Sequence, residues 1–284
     1  MRLELGELIG SGHCLVMGVL NRTPDSFYDG GRIELDDATE HGLRLVAEGA
    51  DLLDVGAIKA GPGEEVSQDE ERSRLLPLVE ALVRESDVPI AIETGRPRLA
   101  AEALELGATM LNDVTGLADD GLARVAAEHR AWLLLMHNGG QIRGRPRHPR
   151  YEDVVSSVIS SWREMATRAH AKGVPPDRIV VDPGIDFGKT TFHSLELLRR
   201  LPELREAGWP LLVAPSRKDV IGETLDLPVE ERLEGTLALV ALCARERVDI
   251  ARVHDVAAAA RVVRIIEAVD GRRPPAAPVR GLWD

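Results

Sequence analysis

Eight short apolar runs, separated by longer segments of helical periodicity, constrain this chain more than any other feature. The runs lie at residues 14–20 (CLVMGVL), 52–57 (LLDVGA), 89–94 (PIAIET) and 109–114 (TMLNDV), then at 132–137 (WLLLMH), 179–184 (IVVDPG), 210–215 (PLLVAP) and 250–255 (IARVHD). Near-continuous Val, Ile and Leu over strand length predicts strands buried on both faces, as in a parallel sheet. Between the runs, 71–85 and 98–107 carry helical apolar spacing, and Gly107 offers a stop just before the next strand. Asp36 and Asp37 open another helix, where carboxylates favour the N-terminal dipole. Eight strand–helix units in 284 residues predict a single α/β domain over 1–284, a (β/α)8 TIM barrel, since such a barrel takes about 250 residues. An open doubly wound sheet is the alternative that the alternation by itself leaves standing. From about residue 271 the Pro-rich end (RRPPAAPVRGLWD) is expected to run extended over the surface and dock through Trp283.

Charge narrows the possible partners. Lys plus Arg number 35 and Asp plus Glu 47, a formal net charge of −12, which argues against broad attraction to nucleic acid or anionic lipid. An anionic ligand would therefore need a local cationic pocket. Aromatic residues make up 3% of the chain, too few for a base-stacking surface or a membrane belt. Cys14 and Cys243 are the only cysteines, which suits a reduced compartment and supplies neither a disulfide framework nor a cysteine metal cage. The N-terminus lacks the basic-then-apolar pattern of a signal peptide, and no apolar stretch approaches the roughly 20 residues that span a bilayer. A soluble cytoplasmic protein is expected.

Polar residues stand where the apolar runs end. Asn21 follows the first, Glu93 closes the third, Asn112 and Asp113 close the fourth, and His137 closes the fifth. Asp182 lies in the sixth, Ser216, Arg217 and Lys218 follow the seventh, and Arg252 and His254 close the eighth. In a parallel barrel the C-terminal strand ends form the face that hosts the active site, so these side chains are expected to converge on one cavity. Alternation points Arg252 and His254 the same way, into the barrel mouth. Together with the cations of residues 216–219 (SRKD), they suit an anionic leaving group.

Other motifs are weaker. Residues 182–190 (DPGIDFGKT) end like a phosphate-binding P-loop, but Gly184 lies four positions before Gly188 where that motif needs five. A Ser-His-Asp hydrolase is disfavoured because no Gly-x-Ser-x-Gly elbow occurs. His137 lacks a HExxH setting or a close carboxylate, so a hydrogen-bonding role is favoured over a metal ligand. Residues 21–31 (NRTPDSFYDGG) are dense in turn formers and suit a loop that closes over a ligand. Residues 143–150 (RGRPRHPR) read as a solvated basic loop rather than an anion-guiding lid.

MGVLNRTPDSFYDGG, DVGAIKAGPGEE, LNDVTG, DPGIDFGK, SRKD and RVHD occur in the order and spacing of the dihydropteroate synthases, and from about residue 14 to 269 the chain resembles that family. The resemblance implies a TIM barrel, usually a homodimer, that condenses 6-hydroxymethyl-7,8-dihydropterin pyrophosphate with p-aminobenzoate. Pyrophosphate would be released with help from Mg²⁺. By the same resemblance, Asp182 would accept two hydrogen bonds from the amino-pyrimidine edge of the pterin. Asn112 would read that ring with its amide, Lys218 would donate to the carbonyl side, and Met136 and Phe187 would form apolar walls. Arg252 would cover the ring face and reach the pyrophosphate. Asn21 would help hold the metal and pyrophosphate, and His254 would donate to the departing oxygens.

The departures from the family pattern cluster at ligand-facing loops. Where the family's second loop reads Glu-Ser-Thr-Arg-Pro-Gly, this chain has Ile58, Lys59, Ala60, Gly61, Pro62 and Gly63. Ala60 brings no hydroxyl and Gly61 no guanidinium, while Lys59 is a neighbouring cation of different reach. Glu93 stands for the family's pterin-contacting Asp; its extra methylene moves the carboxylate by about 1.5 Å, and a shift on the order of 1 Å costs up to roughly 10²-fold in rate. Asp186 replaces a usual Gly and is expected to bring negative charge near the substrate, whereas Arg22 replaces an apolar residue. Arg22, Lys59 and Ser216 are the loop candidates for ligand contact. The pattern resembles the diverged second paralogue of actinobacteria, which is regarded as having little or no synthase activity. Three readings follow: a synthase; a paralogue that binds a pterin-like or other anionic ligand without turnover; and, ranked lowest, a methyltetrahydrofolate-binding methyltransferase-type domain, which would leave Arg252 and His254 idle.

Overall fold

The computed structural model describes residues 4–21, 35–58, 66–140 and 149–280. Arg22, Lys59, Ala60, Gly61, Trp283 and most of the basic loop at 143–150 lie outside the described residues. All eight apolar runs form strands: β1 (Leu15–Asn21), β2 (Leu52–Gly56), β3 (Ile90–Glu93), β4 (Met110–Asp113), β5 (Trp132–Met136), β6 (Ile179–Asp182), β7 (Leu212–Val213) and β8 (Ile250–Val253). The helices are α1 (Leu5–Ile9), α2 (Leu35–Glu48), α3 (Gln68–Glu85), α4 (Pro97–Glu105), α5 (Gly121–Glu128) and α6 (Val154–Ala171). They continue as α7 (Thr191–Arg199), α8 (Leu201–Arg205), α9 (Asp219–Leu225), α10 (Leu233–Arg245) and α11 (Val256–Val269).

Neighbouring strands pair in parallel in the order β6-β5-β4-β3-β2-β1-β8-β7, and one bridge between Val181 and Leu211 joins the two ends. The sheet is thus a closed (β/α)8 TIM barrel, which disposes of the open doubly wound alternative. β7 is only two residues long. Pro210 and Pro215 flank it, and proline has no N–H to give to a ladder.

Strand alternation divides the core in two. Leu53, Val55, Ile92, Leu111, Val181 and Val253 face the helices, while Leu15, Met17, Leu52, Met110, Leu134 and Ile250 fill the barrel interior. Helix α1 presses Leu5 and Ile9 into that interior set and plugs the end where the strands begin. One period further along the strands the inward face turns polar. Asp54 follows Leu52, Glu93 follows Ala91, Asn112 follows Met110, Asp182 follows Val180 and Arg252 follows Ile250. A polar layer therefore sits directly above the apolar plug, at the C-terminal ends of the strands.

Side-chain caps fix where several helices begin. Ser67 accepts the Glu70 N–H to start α3, Asp153 accepts the Ser156 N–H to start α6, and Thr190 forms a capping box with His193 at α7. The GKT sequence that mimics a P-loop is therefore a helix cap preceded by a buried lysine. Gly107, at φ +108°, ends α4 in the left-handed region as its position suggests. After α11 no helix or strand occurs up to residue 280; Arg273 Nε ties the start of this tail to the buried Glu267 carboxylate at 3.2 Å. Cys14 and Cys243 are buried free thiols. Among the described residues, no helix is long and apolar enough to cross a membrane.

Candidate active site

Arg252 dominates the centre of the barrel mouth. Its Nε donates to Asp54 Oδ2 at 2.6 Å and its Nη2 to Glu93 Oε2 at 2.8 Å. Asn112 donates its amide to the same Asp54 oxygen at 2.9 Å. Four strands are stitched together by these bonds: β8, β2, β3 and β4. Burial pushes the Glu93 carboxyl up to about 7, against the downward pull of Arg252 and with a further upward push from Asp54. Burial also lowers Arg252, but Asp54 and Glu93 outweigh it and hold the guanidinium protonated.

Asp54 is the participant that sequence reasoning missed. Its signal was present as a lone carboxylate in the run LLDVGA, two positions beyond an inward leucine. Two buried acceptors here have no hydrogen-bond partner: Asp54 Oδ1 and Asn21 Oδ1. Asn21 Oδ1 lies 2.9 Å from where a Cβ on Gly56 would stand, so only glycine at that position leaves the amide room.

The other wall is formed by β5, β6 and the segment after β7. Met136 and Asp182 are register partners on β5 and β6, and both are buried. Asp182 Oδ1 accepts the Gly184 N–H at 2.7 Å, and its carbonyl accepts the indole N–H of buried Trp162 at 3.1 Å. Burial raises the Asp182 carboxyl, while Gly184, Lys218, Lys189 and Arg252 pull it back down. Lys218 Nζ sits 4.4 Å from the centre of the Phe187 ring, so the cation takes the face of the expected apolar wall. Burial lowers the Lys218 ammonium against the pull of Asp186 and Asp182. At the rim, Ser216 Oγ lies 3.2 Å from the His254 backbone nitrogen and 3.0 Å from its Nδ1. The hydroxyl accepts the backbone N–H, and burial with Arg252 pushes the imidazole down to about 4, so the ring is neutral and one of its nitrogens is a donor.

Several expectations need correction. Asp113 does not join the cavity: it is one residue out of phase with Asn112, and accepts from Thr115 and Leu117 to close the turn after β4. Arg217 does not serve as an anion-binding cation. Its Nε and Nη2 grip Asp255 at 2.9 and 3.0 Å, and Nη1 donates to the carbonyls of Val229 and Glu230. Asp186 brings the expected negative charge, which pulls on the Lys218 ammonium, but that charge is tied down by hydrogen bonds. Its carboxylate accepts the Val220 N–H of α9 at 3.1 Å and the Ser194 hydroxyl at 3.0 Å.

His137 plays the hydrogen-bonding part expected of it. Buried Lys189 places Nζ 2.8 Å from His137 Nδ1 and within 3.1 Å of the carbonyls of His137, Gly184 and Phe187, so its three N–H donors are shared among four acceptors. Burial and Lys189 push the imidazole down to about 3, so it is neutral, with Nδ1 an acceptor. Among the described residues, no group of three or more His, Cys, Asp or Glu side chains is arranged to hold a metal ion.

Comparison with known proteins sets this geometry in a family. The model for "Pterin binding enzyme" matches residues 17–254. The chain is 45% identical over 284 residues to "Inactive dihydropteroate synthase 2" of Mycobacterium tuberculosis (strain ATCC 25618 / H37Rv), covering 98% of this chain and 89% of that one. It is 42% identical over 258 residues to the dihydropteroate synthase of Bacillus subtilis (strain 168), covering 90% and 88%. Among solved structures it is similar to the Xanthomonas albilineans dihydropteroate synthase with 4-aminobenzoic acid, with a TM-score of 0.85 at 38% identity over 94% of this chain and 95% of that chain.

Proposed function

Because the chain belongs to the pterin-binding enzyme family of the dihydropteroate synthases, we propose that its barrel mouth binds 6-hydroxymethyl-7,8-dihydropterin pyrophosphate and condenses it with p-aminobenzoate. The observation that carries the reading is convergence: Asn112, Asp182, Lys218 and Arg252 come from separate strand ends into one charged, largely buried cavity. Asp182 offers its carboxylate to the amino-pyrimidine edge, Asn112 reads the ring, Lys218 donates to the ring carbonyl, and Met136 packs beside it. In the reaction the methylene C–O bond breaks, a C–N bond forms to the aryl amine, and the amine loses a proton. The protein acts by alignment and by placing Arg252 and the His254 ring where the departing oxygens gather charge. No protein nucleophile is needed.

Mg²⁺ fits one feature of the site. Asn21 Oδ1 is a buried oxygen without a partner, and Mg²⁺ takes oxygen ligands, commonly few from protein and the rest from phosphate and water. Asn21 would hold the ion, which when bound supplies charge neutralisation for the pyrophosphate. The protein is further proposed to be cytoplasmic and to form a homodimer through α11. That helix leaves Ile265 59% and Val269 71% exposed, four residues apart, beside Val262 and Ile266, which pack partly against the core. An outward apolar pair of this kind suits cover by a second copy.

A second reading, ligand binding without turnover, draws on Ala60 and Gly61 in loop two and on the relatives named inactive. One series of measurements separates the two. The protein is titrated with pterin pyrophosphate in Mg²⁺, then with p-aminobenzoate, and dihydropteroate is assayed. Product formation supports the synthase; pterin binding without product supports the second reading. Asp182→Ala is expected to abolish pterin binding in either case, and unchanged affinity in that variant would overturn the assignment of Asp182 to the amino-pyrimidine edge.

A further inference from the structure

The groups assigned to a flat heterocycle are engaged with one another. In the strand order β3-β2-β1-β8, Arg252 reaches from β8 past β1 to carboxylates on β2 and β3. Its side chain is 17% exposed, against 0% for Asp54 and 7% for Glu93. Asn112 is drawn to the same Asp54 oxygen. A guanidinium and an aminopyrimidine edge present similar planar N–H donors, so both suit the same carboxylates.

We propose that Arg252 acts as an internal ligand of this pocket, occupying the carboxylates that a pterin would meet, and that Glu93 determines how firmly it is held. The proposal rests on the pterin-pyrophosphate reading and deepens it. Reach is the physical reason for singling out Glu93. A carboxylate one methylene shorter withdraws its oxygen by about 1.5 Å, carrying the 2.8 Å contact with Nη2 beyond hydrogen-bonding distance. Asp54 would still hold Nε, but the planar fork would be fixed at one point instead of two. Arg252 would then be free to swing toward an anion entering the mouth, and Glu93 sets the exchange between these two partners. Substrate affinity is accordingly reduced by the fraction of molecules in which Arg252 is closed on its carboxylates.

Glu93→Asp in the full chain tests this, because it keeps the charge and shortens the arm. Glu93→Gln keeps the arm and removes the charge, and thermal unfolding checks that each variant is folded. Two readouts are used: calorimetric titration with inorganic pyrophosphate in Mg²⁺, and NMR of the Arg252 guanidinium without ligand, assigned by Arg252→Lys. The wild-type guanidinium should rotate slowly. Glu93→Asp should release it and tighten pyrophosphate by about fivefold or more, the factor set by one competing ion pair, with Glu93→Gln in between. Unchanged or weaker pyrophosphate binding in both variants, or a freely rotating Arg252 in the wild type, would overturn the proposal. If Arg252 is released and pyrophosphate tightens while pterin pyrophosphate binds no variant, the internal-ligand role stands and the pterin reading falls. If pterin pyrophosphate binds the wild type and Glu93→Asp equally, the reverse holds.

Discussion

Replacing Arg96 by Met should cost this protein about 3 kcal/mol, a large share of the roughly 5–15 kcal/mol that holds a domain folded. Arg96 precedes α4, and its Nη1 lies 2.5 Å from Oε2 of Glu71, a carboxylate on α3 that is 1% exposed. The other Glu71 oxygen accepts the Thr94 hydroxyl at 2.8 Å, and Arg96 Nη2 donates to the Val66 carbonyl at 2.6 Å. Met preserves much of the stem packing but strands Glu71 with a single neutral donor. Breaking a buried pair costs about 3–5 kcal/mol, and the lower figure applies because Arg96 is 29% exposed and water screens part of the attraction. Removing both charges should be far milder. A Glu71→Leu, Arg96→Met double variant should fall within about 1 kcal/mol of wild type, giving a coupling energy of about 2 kcal/mol or more. The assay is urea unfolding of the four proteins of the cycle, followed by circular dichroism and tryptophan fluorescence. A single-variant cost below about 1 kcal/mol, or additivity within about 0.5 kcal/mol, would place this pair with ordinary surface contacts.

Position 186 separates two effects in one residue. Asp186 has φ +68°, which glycine adopts freely, yet its carboxylate caps α9; Asp186→Gly should therefore stay within about 1 kcal/mol of wild type, while Asp186→Ala loses the cap, keeps the strain and falls by about 2 kcal/mol in the same unfolding assay. Equal losses in the two variants would show that backbone strain plays no part. For Glu93 the folded carboxyl is raised to about 7, so its stabilising contribution is full below its unfolded value and lost as pH rises through the folded one. Wild-type stability relative to Glu93→Gln should accordingly fall between about pH 4.5 and 7.5 by at most about 3 kcal/mol, and a flat difference across that window would contradict the assignment.

The sequence revealed the fold in detail because a barrel repeats one local pattern. Each apolar run holds a strand, though the run at 210–215 keeps only two residues of it between its prolines, and the turn, cap and stop residues between the runs agree with that pattern. Asn21, Glu93, Asn112, Asp182 and Arg252 were legible for the same reason, being polar residues at strand ends. What escaped notice depended on phase or on distance along the chain. Asn112 and Asp113 are adjacent in sequence, and only the pleat decides that one faces the cavity and the other a turn. Asp54 pairs with Arg252 across 198 positions, a relation that no local window contains. Arg217 looked available because its partner, Asp255, lies 38 positions away, beyond α9, α10 and β8. The plug α1 is five residues long, too short to show a period.

The fastening between β6 and β7 has a dynamic consequence. Every other neighbouring pair shares a ladder, but here the wall is held by one bridge, which includes the Val181 N–H bonded to the Pro210 carbonyl at 2.9 Å. Asp182 hangs from one lip of this seam and Lys218 stands beyond the other. Breathing of the barrel should begin there, so amide hydrogens along this join exchange with solvent ahead of those in β1 to β5. A ligand that bridges Asp182 and Lys218 would act as a rivet across the join, and its arrival should be written in slower exchange at Val181.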